Sequence, residues 1–138
     1  MKQSVLFLCT GNSARSQMAE GWLRHLAGDR YEVFSAGTKP VGLNLGSVEA
    51  MAEVGIDISQ HRSKHVEEYT AQSIDYVVTV CDRAKESCPL WPGKTTMIHW
   101  SFDDPAAVVD AEARRRIFCC VRDEIASAIR EFLADQAK

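Results

Sequence analysis

The 138-residue sequence has no long hydrophobic run, no excess of basic residues and an odd number of cysteines, and each of these excludes something. Without about 20 consecutive apolar residues no membrane-crossing helix is expected, and Val5 to Cys9, after Lys2 and Gln3, is too short for a signal-peptide core. The expected location is the cytoplasm. A net charge of -3 gives no general attraction to nucleic acid, and the run Arg114, Arg115, Arg116 is read as a solvated helix face. Cys9, Cys81, Cys88, Cys119 and Cys120 are expected to be thiols rather than a disulfide framework. His25, His61, His65 and His99 show no metal-ligand spacing. Repeats, low-complexity segments and linkers are also missing, so residues 1–138 are expected to form one domain, acting as a monomer.

What is present is strand alternating with helix. Ser4 to Cys9 reads as a buried strand, and Met18, Ala19, Trp22, Leu23 and Leu26 recur at helical spacing from near Ser16 to Gly28. "YEVFSAG" from Tyr31 alternates as a strand, and "SVEAMAEVG" from Ser47 has helical spacing up to Gly55. "IDYVVTVC" from Ile74 reads as a second buried strand, and "TTMIHW" from Thr95 as a short last one. From Ala111 the apolar residues Ile117, Val121, Ile125, Ala128, Ile129 and Phe132 make one stripe of a long helix. The pattern predicts an α/β fold, a small four-stranded parallel sheet with helices on both faces. Ligands of such folds sit at the carboxyl ends of the strands.

Cys9 stands at such an end. The turn residues Gly11, Asn12 and Ser13 permit a nest of backbone N–H groups before the first helix, so Thr10, Gly11, Asn12, Ser13, Ala14, Arg15 and Ser16 form a candidate oxyanion cradle. The helix N-terminus and a guanidinium favour the Cys9 thiolate, and Arg15 offers a fork of donors to a tetrahedral anion. The bland reading, a buried small hydrophobe and a surface arginine, gives way because strand, turn and helix fall in register.

"CTGNSARS" resembles the phosphate-binding loop of the low-molecular-weight protein tyrosine phosphatase superfamily. With "QMAEG", "SAG" at Ser35 to Gly37 and "FDDPA" at Phe102 to Ala106, nearly the whole chain is more specifically similar to its thioredoxin-coupled arsenate reductases. The resemblance implies the phosphatase-like three-layer sandwich, Cys9 as nucleophile and Asp104, directly before Pro105, as the acid that protonates the departing oxygen. From sequence alone "FDDP" reads equally as a capped turn.

Cys81 ends a strand and Cys88 follows in "CDRAKESCP", with too many residues between them for ordinary structural zinc spacing. Two packing cysteines would satisfy the spacing as well. The resemblance implies a redox pair: Cys81 attacks Cys9, arsenite leaves, and Cys88 moves the disulfide to Cys81 and Cys88, which thioredoxin reduces. No bound cofactor is expected. Were the intervening segment helical, its ends would lie about 10 Å apart, and a disulfide, which needs Cα atoms within about 7 Å, would require it to unwind.

Two positions depart from the family. Ala14 stands where a second cradle cysteine is common. Asn12, Glu20 and Ser35 match residues that hold potassium in some reductases, but Lys64 replaces the acidic residue that completes that site, so no metal is expected; the Lys64 ammonium either faces Glu20 or is exposed. The cradle also suits a phosphatase, although Ala106 and Ala107 stand where phosphotyrosine phosphatases carry aromatic residues, or a non-catalytic regulator that binds arsenic oxyanions. Cys119 and Cys120 are read as helix residues with a packing role, and Trp91 and Trp100 as core or rim.

Overall fold

The computed structural model describes residues 2–81 and 94–137. Four strands, β1 (Gln3–Cys9), β2 (Tyr31–Gly37), β3 (Tyr76–Thr79) and β4 (Thr96–His99), form one sheet in the order β2-β1-β3-β4. All pairs are parallel. Among the described residues three α-helices accompany them: α1 (Arg15–Ala27), α2 (Leu45–Ala52) and α3 (Ala111–Gln136).

β1 lies at the centre. Val5, Leu6, Phe7 and Leu8 are each at most 1% exposed, so both faces of this strand are covered, which is why its sequence is continuously apolar rather than alternating. β2, at one edge, alternates in its first half, and β4 at the other edge leaves Met97 half-exposed. The α3 stripe buries Phe118, Val121, Ile125, Ile129 and Phe132, worth about 1.5–3 kcal/mol for each large side chain. The sequence does not announce Arg122, a charged residue within this buried face. Its guanidinium donates to Ala50 O (2.8 Å) and pairs with Glu53 (3.2 Å), tying α3 to the end of α2.

The chain leaves β1 toward β2 on one side and reaches β3 on the other, so the connections diverge at β1. That reversal opens a crevice at its carboxyl end. The register pairs Cys9 with Gly37 and Leu8 with Thr79, and Cys81 follows two residues after β3. Cys9, Gly37 and Cys81 therefore share one sheet edge. Trp100 and Phe102 continue from β4 at the same edge and stack edge-on, with Trp100 also against Phe7. Trp100 is thus a half-buried rim residue, as expected.

Several boundaries differ from the sequence reading, and β3 ends at Thr79, so that Cys81 lies two residues beyond the strand rather than at its end. α2 begins at Leu45 because Asn44 caps it, its side chain accepting Gly46 N–H (2.8 Å). It stops at Ala52 because Gly55, at φ 80°, already turns the chain away. β3 starts at Tyr76 rather than Ile74: the Asp75 carboxylate accepts Ser4 N–H (2.8 Å), replacing a ladder bond at that end.

Candidate active site

The loop from Thr10 to Ala14 joins β1 to α1 by a tight route. Asn12 adopts φ 47°, the left-handed region, and its N–H donates to Cys9 Sγ at 3.1 Å. β2 ends against this loop so closely that a Cβ at Gly37 would meet Thr10 O at 2.5 Å, which is why glycine stands there. α1 starts after Ala14 with no side-chain cap among the described residues, leaving its first N–H groups for an anion.

Hydrogen bonds define a chain running to the sulfur. Asn12 Nδ2 donates to Ser16 Oγ (2.8 Å) and to Ser35 Oγ (3.0 Å), and Ser35 in turn donates to Glu20 Oε1. Since Ser16 Oγ accepts from Asn12, its own proton is free to be donated to Cys9 Sγ, 2.8 Å away. Burial pushes the Cys9 thiol above the ordinary cysteine range, against the downward pull of the Ser16 and Asn12 hydrogen bonds. Burial thus works against the thiolate preference expected from sequence, because Cys9 is only 3% exposed.

Arg15 reaches over the loop, donating from NH1 to Phe102 O at 3.0 Å, with NH2 3.8 Å from Asp104 Oδ2. Asp104 caps the short turn Pro105–Ala107, its Oδ1 accepting Ala106 N–H (3.0 Å), and the residue also lines the cavity above Cys9. That cavity, about 520 Å³, brings together Cys9, Thr10, Gly11, Ser13, Arg15, Cys81 and Asp104. Cys81 is buried, and its Sγ lies 3.4 Å from Thr10 Oγ1. Ala14 lines it too, contributing no thiol. Cys88 and Trp91 lie outside the described residues. A larger groove of about 870 Å³ between α2 and α3 is lined by Leu45, Glu53, Arg114, Arg115, Phe118 and Cys119. Cys119 there is half-buried and donates to Glu53 Oε2 (3.0 Å), and Cys120 is exposed.

Behind the cradle is a cluster of buried charge. Lys64 is 8% exposed, so the surface-lysine reading does not hold; its Nζ is 3.5 Å from Glu20 Oε1 and donates to Arg62 O (2.8 Å). Burial lowers the Lys64 pKa while Glu20 pulls it back up. Arg24 meets the other Glu20 oxygen at 2.7 Å. His61 is held below the ordinary histidine range, chiefly by burial and also by the positive Arg24 and Lys64, against the opposing pull of Glu20. Sequence reasoning missed Gln17 and His61. The first turns of α1 are buried on nearly every side, from Ser16 through Leu23, so no amphipathic pattern marks a polar residue there as special.

Residues 4–138 match the low molecular weight phosphotyrosine protein phosphatase family. The chain is 46% identical over 131 residues to arsenate reductase 2 of Staphylococcus epidermidis, covering 95% of this chain and 96% of that protein. Among solved structures it resembles an arsenate reductase in the phosphate binding state, with a TM-score of 0.84, 29% identity, and coverage of 96% of this chain and 98% of that one. It also resembles a thioredoxin-dependent arsenate reductase of Corynebacterium glutamicum, with a TM-score of 0.76 and 31% identity, covering 97% of this chain and 61% of that one.

Proposed function

The chain belongs to the low molecular weight phosphotyrosine protein phosphatase family, and within it we propose that it is a thioredoxin-coupled arsenate reductase. The observation that carries this reading is the second buried thiol: Cys81 lines the same cavity as Cys9, where hydrolysis alone would need no second sulfur. Ala106 in the cavity wall, in place of a ring-flanking aromatic, supports an inorganic oxyanion over an aryl phosphate.

The reaction begins with the arsenate dianion in the cradle, held by Arg15 and the loop N–H groups. The Cys9 proton passes to the dianion, the one strong base in a desolvated site, leaving thiolate and arsenate monoanion. Cys9 Sγ attacks arsenic, and an arsenic hydroxyl leaves as water with a proton from Asp104. Cys81 then attacks Cys9 Sγ, its thiol proton passing to the departing arsenite. The sulfur–arsenic bond breaks with its electron pair on arsenic, which falls from the pentavalent to the trivalent state as the Cys9–Cys81 disulfide forms. Cys88 attacks Cys81, its proton passing to the released Cys9 sulfur and restoring the starting thiol, and the dithiol of thioredoxin reduces the resulting Cys81–Cys88 disulfide. Cys88's part rests on the sequence. The same cradle supports slow phosphate-ester hydrolysis as a side activity.

Asp104→Asn keeps the Ala106 cap but removes the proton. The expected result is a roughly 100-fold lower single-turnover rate with little change in phosphate affinity, measured by rapid quench. An unchanged rate would remove Asp104 from the mechanism.

A potassium ion does not fit behind this cradle. The Glu20 carboxylate that would hold it is already shared by the Lys64 ammonium, the Arg24 guanidinium and the Ser35 hydroxyl. Turnover is therefore expected to be the same in potassium and choline chloride at matched ionic strength, and a several-fold stimulation by potassium would contradict this. The reading as a whole is tested by whether arsenate draws electrons continuously from thioredoxin.

A further inference from the structure

We propose that Gln17 is a positioning residue of the cradle, fixing the peptide between Asn12 and Ser13 so that the Ser13 N–H points at the bound anion. The inference rests on the oxyanion cradle of the proposed function and not on its electron path.

Gln17 is fully buried at the start of α1. Its Nε2 faces three oxygens: Asn12 O at 3.1 Å, Asn12 Oδ1 at 3.1 Å and Arg62 O at 3.0 Å. That surrounding fixes which end of the amide is nitrogen, because an oxygen turned into the same place would meet only acceptors. Oε1 is then left to accept from His61 Nδ1, 3.0 Å away. His61 carries its proton on Nδ1, and its Nε2 accepts from Arg24 NH1 at 3.2 Å. Each group in the chain has one consistent role, so the Gln17 amide has one orientation.

The consequence for the cradle follows from the planarity of the peptide. The Asn12–Ser13 bond is trans, so its C=O and N–H point in opposite directions. Gln17 draws the Asn12 carbonyl back into the protein, which sends the Ser13 N–H forward to the cavity that Ser13 lines. Asn12 pays for this orientation with its left-handed φ of 47°, a conformation an asparagine leaves readily unless held. Gln17 holds both ends of Asn12, main-chain oxygen and side-chain oxygen, and Lys64 N–H adds a second donor to the latter at 2.8 Å.

The test uses inorganic phosphate as the probe on ¹⁵N-labelled protein. In the wild type the Ser13 amide resonance is expected to move downfield as phosphate saturates the site. Gln17→Met keeps the bulk and removes the donor. It is expected to bind phosphate about tenfold or more weakly and to lose the Ser13 shift, while the Arg15 guanidinium still responds. For arsenate the loss should appear in KM more than in kcat. A folded Gln17→Met protein that binds phosphate within about twofold of wild type would overturn the proposal, as would a wild-type Ser13 amide that phosphate leaves unmoved. Should Gln17→Met not fold, the wild-type spectrum decides, and His61→Phe, which frees the Gln17 amide to turn, is expected to weaken the same Ser13 response. Phosphate binding without arsenate turnover would count against the reductase reading and leave this inference intact.

Discussion

Cys9→Ser is expected to abolish arsenate turnover, by about 10⁴-fold or more, while phosphate still protects the folded protein against heat. Serine conserves the shape and the hydrogen bonds from Ser16 and Asn12 but offers a hydroxyl whose proton no group in the cavity is basic enough to take. The arginine and the loop N–H groups are untouched, so binding survives where chemistry does not. That split separates a nucleophile from a residue that merely helps to build the cradle. Rates are read by arsenite release and binding by the shift in melting temperature. A variant within about tenfold of wild type would remove Cys9 from the covalent step.

The second large effect is at Cys81, where the two activities of this family should part. Cys81→Ser leaves the cradle, Arg15 and Asp104 in place, so hydrolysis of para-nitrophenyl phosphate is expected within about twofold of wild type. Arsenate reduction should fall by about 10³-fold or more, because the arsenic adduct on Cys9 has no thiol to resolve it. Mass spectrometry should find at most one arsenic per chain on Cys9 and no arsenite released. Equal losses in both reactions would instead make Cys81 a packing residue of the cavity wall. The Thr10 hydroxyl 3.4 Å from Cys81 Sγ links that wall to the cradle, so both activities are measured on the same sample.

The parts of the site that are contiguous in sequence were the ones that could be read from it. Cys9, the turn, Arg15 and Ser16 fall within one strand-to-helix connection, and local preferences determine how such a connection is built. The buried strands β1 and β3 are legible because both faces of each are covered, so Val5 to Leu8 and Tyr76 to Val78 are continuously apolar. What escaped depends on crossovers that bring distant segments together. The pairing of Glu20 with Lys64 was anticipated as one of two placements, but the bonds from Gln17 to Arg62 O and from Arg122 to Ala50 O span 45 and 72 positions, and no periodicity encodes them. Asp104 is ambiguous for a different reason: a carboxylate before proline can cap a turn and face a cavity by the same geometry, and its approach to Arg15 depends on segments far apart in the chain. The upward pull of burial on the Cys9 thiol is not legible in the sequence, where the helix N-terminus and guanidinium are visible and the depth of the residue is not.

The measurement that tests the central claim most directly is arsenate-dependent oxidation of NADPH in the presence of thioredoxin and thioredoxin reductase, run beside para-nitrophenyl phosphate hydrolysis on the same protein. The account predicts sustained consumption, one NADPH for each arsenite released, that stops when Cys81 is replaced. Hydrolysis of the phosphate ester with no arsenate-dependent NADPH oxidation would contradict it, leaving the cradle as a phosphatase site and Cys81 as part of its wall.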